Sequence, residues 1–251
     1  MQTTIPQSSV QRSWEFTAAL VIGWLVIGLT TALFLPVLLP GVDTLIVRAL
    51  GQIALALAAV ALVGRLGWRT VEPQAGRVNS ARLLIPAVLI AALPLAAGLR
   101  IEQVGMALFL VVMELIVGLS EELVFRGMLL RTLLPHGTTR AVLVSSALFG
   151  LVHLANIVYG ASVAVTLAQV VGAFVFGIGM AAIVLRGGTL WPAILIHALA
   201  NFALRFSWFV PQPVPAPLMS AVVSTLLLGY GLFLLRGVSA HTRPAHTERR
   251  D

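Results

Sequence analysis

One ten-residue stretch, Gly118-Leu-Ser-Glu-Glu-Leu-Val-Phe-Arg-Gly127, places Glu121, Glu122 and Arg126 inside a long apolar segment. Charged side chains at membrane depth are costly and mark functional positions. Glu122 and Arg126 stand four residues apart, so on a helix they share a face with the acid N-terminal, the favourable order. Glu121 is turned by about 100° from Glu122 and cannot share the arginine equally. One carboxylate is thereby neutralised by a neighbour, while the other is left for chemistry. A buried ion-pair cluster that fixes helix packing is the alternative for the same residues.

Other apolar segments carry imidazoles and amides. Phe149, His153 and Asn156 lie on one, His197 and Asn201 on another, and Glu114 lies two turns before Glu121. Singly, each has a plain reading: an interhelical hydrogen bond for either histidine, helix glue for Asn201, glue or a support for His153 in the case of Asn156, and a pocket wall or core for Phe149. Glu114 is expected to be a neutral packing residue. Together, a carboxylate, two imidazoles and an amide cover a general base, proton carriers and oxyanion donors. They also offer up to three zinc ligands, with a position open for water. Ser120 adjoins Glu121 but stands in no Gly-x-Ser-x-Gly elbow, and no His-Glu-x-x-His motif is present.

The elements that must position these groups span a membrane. Of 251 residues, 59% are hydrophobic and only 10% charged, and the mean hydropathy is +1.01. A soluble domain is nearer a quarter charged. The net charge of +7 rests on sixteen basic residues, all arginine, placed mostly between apolar runs, where they set topology and not nucleic-acid binding. With no cysteine there is no disulfide, thiol nucleophile or cysteine-ligated metal.

An all-α bundle of about eight spans is expected. Residues 1–13 form a polar N-terminal segment, 14–236 a single transmembrane domain, and 237–251 a basic tail. The first helix, about Trp14–Leu39, is too long for a signal-peptide core and is read as uncleaved. Later helices are expected at about Thr44–Val63, Leu83–Leu99, from Gln103 through the acidic stretch, and at Ala141–Val158, Val163–Leu185, Leu190–Phe209 and Leu218–Leu235. A polar loop is expected over 64–82 and a stiff connector over Pro211–Pro217. No internal repeat is apparent, which weighs against an inverted-repeat transporter.

Arg12, the 64–82 loop, Arg126, Arg131, Arg140, Arg186 and the tail fall on one side, against Arg48, Arg100 and Arg205 on the other. The positive-inside rule then places both termini in the cytoplasm. Glu121 is ten residues from Arg131, His153 thirteen from Arg140 and His197 eleven from Arg186. These separations are roughly 15, 20 and 16 Å along a helix, so three helices bring the groups to similar depth. The active site is expected among helices 4, 5 and 7.

Three motifs on three helices carry a resemblance: Glu121-Glu122-Leu-Val-Phe-Arg126, Phe149-Gly-Leu-Val-His153 and His197-Ala-Leu-Ala-Asn201. They are similar to the Glu-Glu-x-x-x-Arg, Phe-x-x-x-His and His-x-x-x-Asn pattern of the CPBP intramembrane proteases. That family includes the CAAX prenyl endopeptidase Rce1 and the Abi, or bacteriocin self-immunity, proteins. The likeness covers about 114–201. It implies an endopeptidase that cuts a membrane-bound or lipidated, CAAX-like protein or peptide. By it Glu121 activates water with His153, His197 and Asn201 stabilise the oxyanion, and Glu122 and Arg126 are structural, with Phe149 and Asn156 in support. The family is often called a metalloprotease, although a metal-free glutamate mechanism is also argued for it. Were zinc the cofactor, Glu121, His153 and His197 would be its ligands. The location implied is a bacterial inner membrane, with the site opening toward the cytoplasm. A non-proteolytic scaffold or immunity protein and a proton-coupled transporter are the rival classes.

Overall fold

Residues 7–67, 81–207 and 215–239 are described by a computed structural model. Helix α1 runs over Gln7–Leu38, α2 over Thr44–Leu66, α3 over Ala81–Ala92, α4 over Val104–Glu122, α5 over Thr138–Val152, α6 over Val163–Gly187, α7 over Trp191–Phe206 and α8 over Pro215–Ser239. Among the described residues, six helical segments are long and apolar enough to cross a membrane. The segments at Arg82–Ala96 and Trp191–Phe206 are apolar but shorter. The architecture is therefore the expected all-α polytopic bundle.

Several ends differ from the sequence reading. Helix α1 begins at Gln7, so residues 7–13 are helical and lead into the membrane-length part, Gln11–Leu38. Helix α8 begins at Pro215, ahead of the expected Leu218, because proline is tolerated in a first turn where its missing N–H has no partner to lose. Helix α3 tightens into a 3₁₀ segment at Leu93–Ala97, where Pro94 cannot donate to the α ladder, and Gly98 closes it at φ 98°. Most of the 64–82 loop, part of the 211–217 connector and most of the basic tail lie outside the described residues.

The largest departure is in α4. After Glu122 the chain continues as a π-helix over Leu123–Leu130, then by short turns at Arg131–Leu133 and Leu134–His136. The whole run Val104–His136 forms one membrane-length element. All eight residues of the π segment are buried. Such i→i+5 turns are rare and recur at functional sites.

Helix α6 is the central post, buried continuously from Phe176 to Leu185, with α5, α7 and α8 packed on it. Helix α4 lies against α2 on one side and α7 on the other. Gly118 makes the second contact possible: a Cβ there would sit 2.9 Å from the Ile194 carbonyl oxygen of α7. This close approach carries the acidic pair of α4 against His197. At the far end of α7, the Arg100 N–H donates to Phe206 O at 2.7 Å and the Ser207 hydroxyl donates to Pro94 O.

Candidate active site

Two clusters of polar groups emerge from these contacts. In the first, Arg126 Nη1 donates to Glu122 Oε1 at 3.0 Å, with both side chains fully buried. The guanidinium carbon lies 4.3 Å from the centroid of the Phe149 ring. The pairing foreseen from the i, i+4 spacing is present, although Arg126 itself sits in the π turn. Glu122 does more than neutralise the arginine. Its Oε1 also accepts from His197 Nδ1 at 2.9 Å, tying α4 to α7. His197 Nε2 faces the other acid, 3.6 Å from Glu121 Oε2. That is an electrostatic contact and too long for a good hydrogen bond.

His153 is partly buried at the point where α5 becomes a 3₁₀ segment, His153–Ile157. Its ring explains the change. Nδ1 lies 2.8 Å from Phe149 O, the carbonyl an α-helical N–H at this position would use, and the backbone N–H turns to Gly150 O instead. A carbonyl oxygen can only accept, so Nδ1 carries the proton and neutral His153 presents Nε2 as an acceptor. The Phe149 ring packs edge-on against both imidazoles, with centroids 5.0 Å from His153 and 6.0 Å from His197.

Glu121 and His153 line one cavity of about 70 Å³. A water needs only about 10–15 Å³ of such space, provided that polar partners are near. Helices α1 and α2 supply the opposite wall through Trp24, Gly28, Gln52 and Leu55, and Tyr159 closes one end. Tyr159 is held by its hydroxyl on Gly28 O at 2.8 Å, and its own carbonyl accepts from Arg48 Nη2 at 3.2 Å. A second, apolar cavity of about 130 Å³ adjoins along α1 and α2, sharing Trp24 and Leu55 and reaching Val124 and Met128.

Not every expected group joins this cavity. Asn201 shares a helix face with His197, but its Nδ2 donates to Glu114 Oε2 at 3.0 Å. Glu114 is no neutral packing residue. Arg205 grips its Oε1 through Nε at 2.9 Å and Nη2 at 2.7 Å. The two donors of α7 therefore do not converge on one oxygen: His197 is committed to the Glu121–Glu122 pair and Asn201 to Glu114. Asn156 lines the cavity, but its amide donates to Gln169 Oε1 at 2.7 Å and not to His153.

The putting-together of Glu121, His153 and His197 as three metal ligands does not occur. Among the described residues no three His, Asp or Glu side chains converge in that way. His153 Nδ1 is engaged by Phe149, and the two nitrogens of His197 face Glu122 and Glu121.

The three motifs, on α4, α5 and α7, fall within one segment that matches a known family. Residues 103–203 match the family described as type II CAAX prenyl endopeptidase Rce1-like. That segment, less than half of the chain, is similar to an Rce1-like domain. It spans α4 to α7, so α1 and α2, the other wall of the cavity, lie outside the match. Comparison with curated proteins returns no match. The Rce1-like family is one of intramembrane CAAX-type proteases, and the helical bundle has the form of an integral membrane protein.

The residues that sequence reasoning missed are Trp24, Gln52, Tyr159 and Arg205. Gln52 gave a signal, as a lone carboxamide among the apolar residues of α2. Arg205 gave none, because its spacing to Glu114 is tertiary. The Glu114 cluster yields a prediction. Glu114→Ala leaves the Asn201 amide without its acceptor and is expected to lower stability by about 1–3 kcal/mol, read by thermal unfolding in detergent. Arg205, half exposed, contributes little of that.

Proposed function

We propose that this protein is an intramembrane endopeptidase that hydrolyses a peptide bond of a membrane-bound or lipidated protein with a water activated by Glu121 and His153. One observation carries the reading: an acid and an imidazole from separate helices line one cavity of water size within the bundle. Glu121 is the acid of α4 without an arginine of its own, and 14% of its side chain is accessible against none for Glu122.

The chemistry balances as follows. The water oxygen attacks the scissile carbonyl carbon while Glu121 takes one of its protons and His153 Nε2 accepts a hydrogen bond from the other. The C–O bond forms and negative charge collects on the carbonyl oxygen. As the C–N bond breaks, Glu121 returns the proton to the amine nitrogen, leaving a carboxylic acid and an amine, and the acid's remaining proton passes to the amine to give a carboxylate and an ammonium. His197 orients Glu121 from the side of the pair, and Glu122 with Arg126 fixes His197 in turn. Asn201 acts in this scheme through Glu114, by holding α7 on α4. The adjoining apolar cavity suits an apolar chain beside the bond to be cut, in keeping with a lipidated substrate.

Cleavage of a lipidated peptide in detergent by the wild type and not by Glu121→Gln tests this reading. Comparison of membrane-protein C-termini from cells carrying either form would identify the substrate. Absence of cleavage together with proton-coupled uptake in liposomes would replace it with transport. Absence of both would leave the scaffold or immunity class.

The arginine asymmetry supports cytoplasmic termini, and reporter fusions at Pro40, Ala75, Gly137 and Val214 should alternate, with Ala75 and Gly137 inside. An inside signal at Pro40 or Val214 would sink this topology. The cavity reaches Asn156 and Tyr159, at the end of α5 away from Arg140. With cytoplasmic termini it therefore extends toward the outer face, contrary to the cytoplasmic opening expected from the sequence, and the same fusions decide which side the substrate reaches.

A further inference from the structure

His197 Nδ1 donates to Glu122 and Asn201 Nδ2 to Glu114, and neither residue lines the cavity of Glu121 and His153, so the developing oxyanion needs a donor from that lining. Helix α2 supplies a candidate. Gln52 lines the cavity across from Glu121 and His153, and its Oε1 is buried without a hydrogen-bond partner among the described residues. Buried polar groups are ordinarily paired, and an exception calls for an explanation. The neighbouring polar groups of the same lining are already committed: Asn156 gives its amide to Gln169, and Tyr159 gives its hydroxyl to Gly28. Gln52 lies on α2 beside Gly51, one turn after Arg48, whose Nη2 is held by Tyr159 O, and ahead of the apolar run from Leu55. A carboxamide there has a partner when a peptide group enters. It presents two donor hydrogens and an acceptor oxygen, the complement of a peptide carbonyl and a nearby N–H.

Resting on the endopeptidase reading, we propose that Gln52 is a further catalytic residue, which engages the scissile peptide with Nε2 donating to the carbonyl oxygen that becomes the oxyanion and Oε1 accepting a neighbouring peptide N–H. The assignment places the donor on α2, outside the Rce1-like segment, and makes the cavity a clamp. The base and the imidazole stand on one wall and the oxyanion donor on the other. A donor placed for the charge of the transition state affects kcat more than ground-state binding.

The test compares full-length wild type, Gln52→Met and Gln52→Glu in detergent with a lipidated peptide, following kcat, KM and Tm. Methionine keeps the length of the side chain and removes the amide. Gln52→Met is expected to keep its Tm and its KM within about twofold and to lose about 10²–10³ in kcat, the usual effect of removing one oxyanion donor. A phosphonate analogue of the peptide, whose tetrahedral centre mimics the charged intermediate, should bind Gln52→Met more weakly by a similar factor, while the uncleaved peptide bound to Glu121→Gln binds equally with or without Gln52→Met. Gln52→Glu, which replaces the donor by an acceptor, should not rescue. Wild-type kcat in Gln52→Met, or a loss matched by a fall in Tm with unchanged phosphonate affinity relative to peptide, overturns the assignment and leaves the endopeptidase reading standing. A wild type that cleaves no peptide overturns both.

Discussion

Glu121→Gln is expected to abolish peptide cleavage while the protein remains folded. The glutamine keeps the shape of the side chain and one acceptor oxygen but cannot take a proton from water. Loss of a general base typically costs about 10²–10⁴ in rate, enough to put a slow membrane protease below detection. Folding should be spared because the hydrogen-bonded ion pair of the buried arginine is made by Glu122 and not by Glu121, whose own contact is His197 Nε2 at 3.6 Å. His153→Ala should have the same phenotype by another route. It removes the Nε2 acceptor from the cavity and frees the Phe149 carbonyl, with no buried charge left behind. The measurements are cleavage of a lipidated peptide and Tm in the same detergent. Full activity of Glu121→Gln would overturn the mechanism. Stoichiometric zinc in active protein, with activity lost on chelation and restored by zinc, would replace the metal-free scheme with one that the side-chain arrangement does not show.

The spacing of residues carried much of this site because the decisive contacts within α4 and α5 are local. Glu122 and Arg126 pair at i, i+4, and Phe149 and His153 touch at the same interval. The meeting of α4 with α7 was legible only as similar depth along the helices, and it became contact through Gly118, whose missing side chain lets Ile194 approach. The π-helix was not legible. Its one weak helix former, Gly127, is a residue that α-helices tolerate, so the composition of Leu123–Leu130 does not announce the wider turn. Depth also misled. Asn201 lies one turn from His197, and equal spacing suggested equal purpose, yet Arg205 draws Glu114 into a separate cluster that captures the amide. The wall of the cavity made by α1 and α2 lay outside any motif, so Gln52 could be seen only once the helices were assembled.

Arg126→Ala is expected to cost about 3–5 kcal/mol of stability, the usual effect of removing one partner from a buried ion pair. The guanidinium is fully buried, bonded to Glu122 and laid over the Phe149 ring. Its loss leaves the Glu122 charge inside the bundle with His197 as its remaining partner. The protein should express poorly or melt early, and its activity should fall with the folded fraction. The double variant Glu122→Gln with Arg126→Met separates charge from contact. Glutamine keeps an oxygen for His197 Nδ1, methionine fills part of the arginine's volume, and no unpaired charge remains. Replacing both members of a buried pair is often neutral, where breaking one is not. The double variant should therefore be more stable than Arg126→Ala and regain measurable cleavage, with Tm and kcat determined on the same preparations. A double variant no more stable than Arg126→Ala would show that the pair's geometry, and not the stranded charge, supports α4 against α7. A normally stable but inactive Arg126→Ala would place the guanidinium in the reaction itself, acting across Glu122 on the His197 that orients the base.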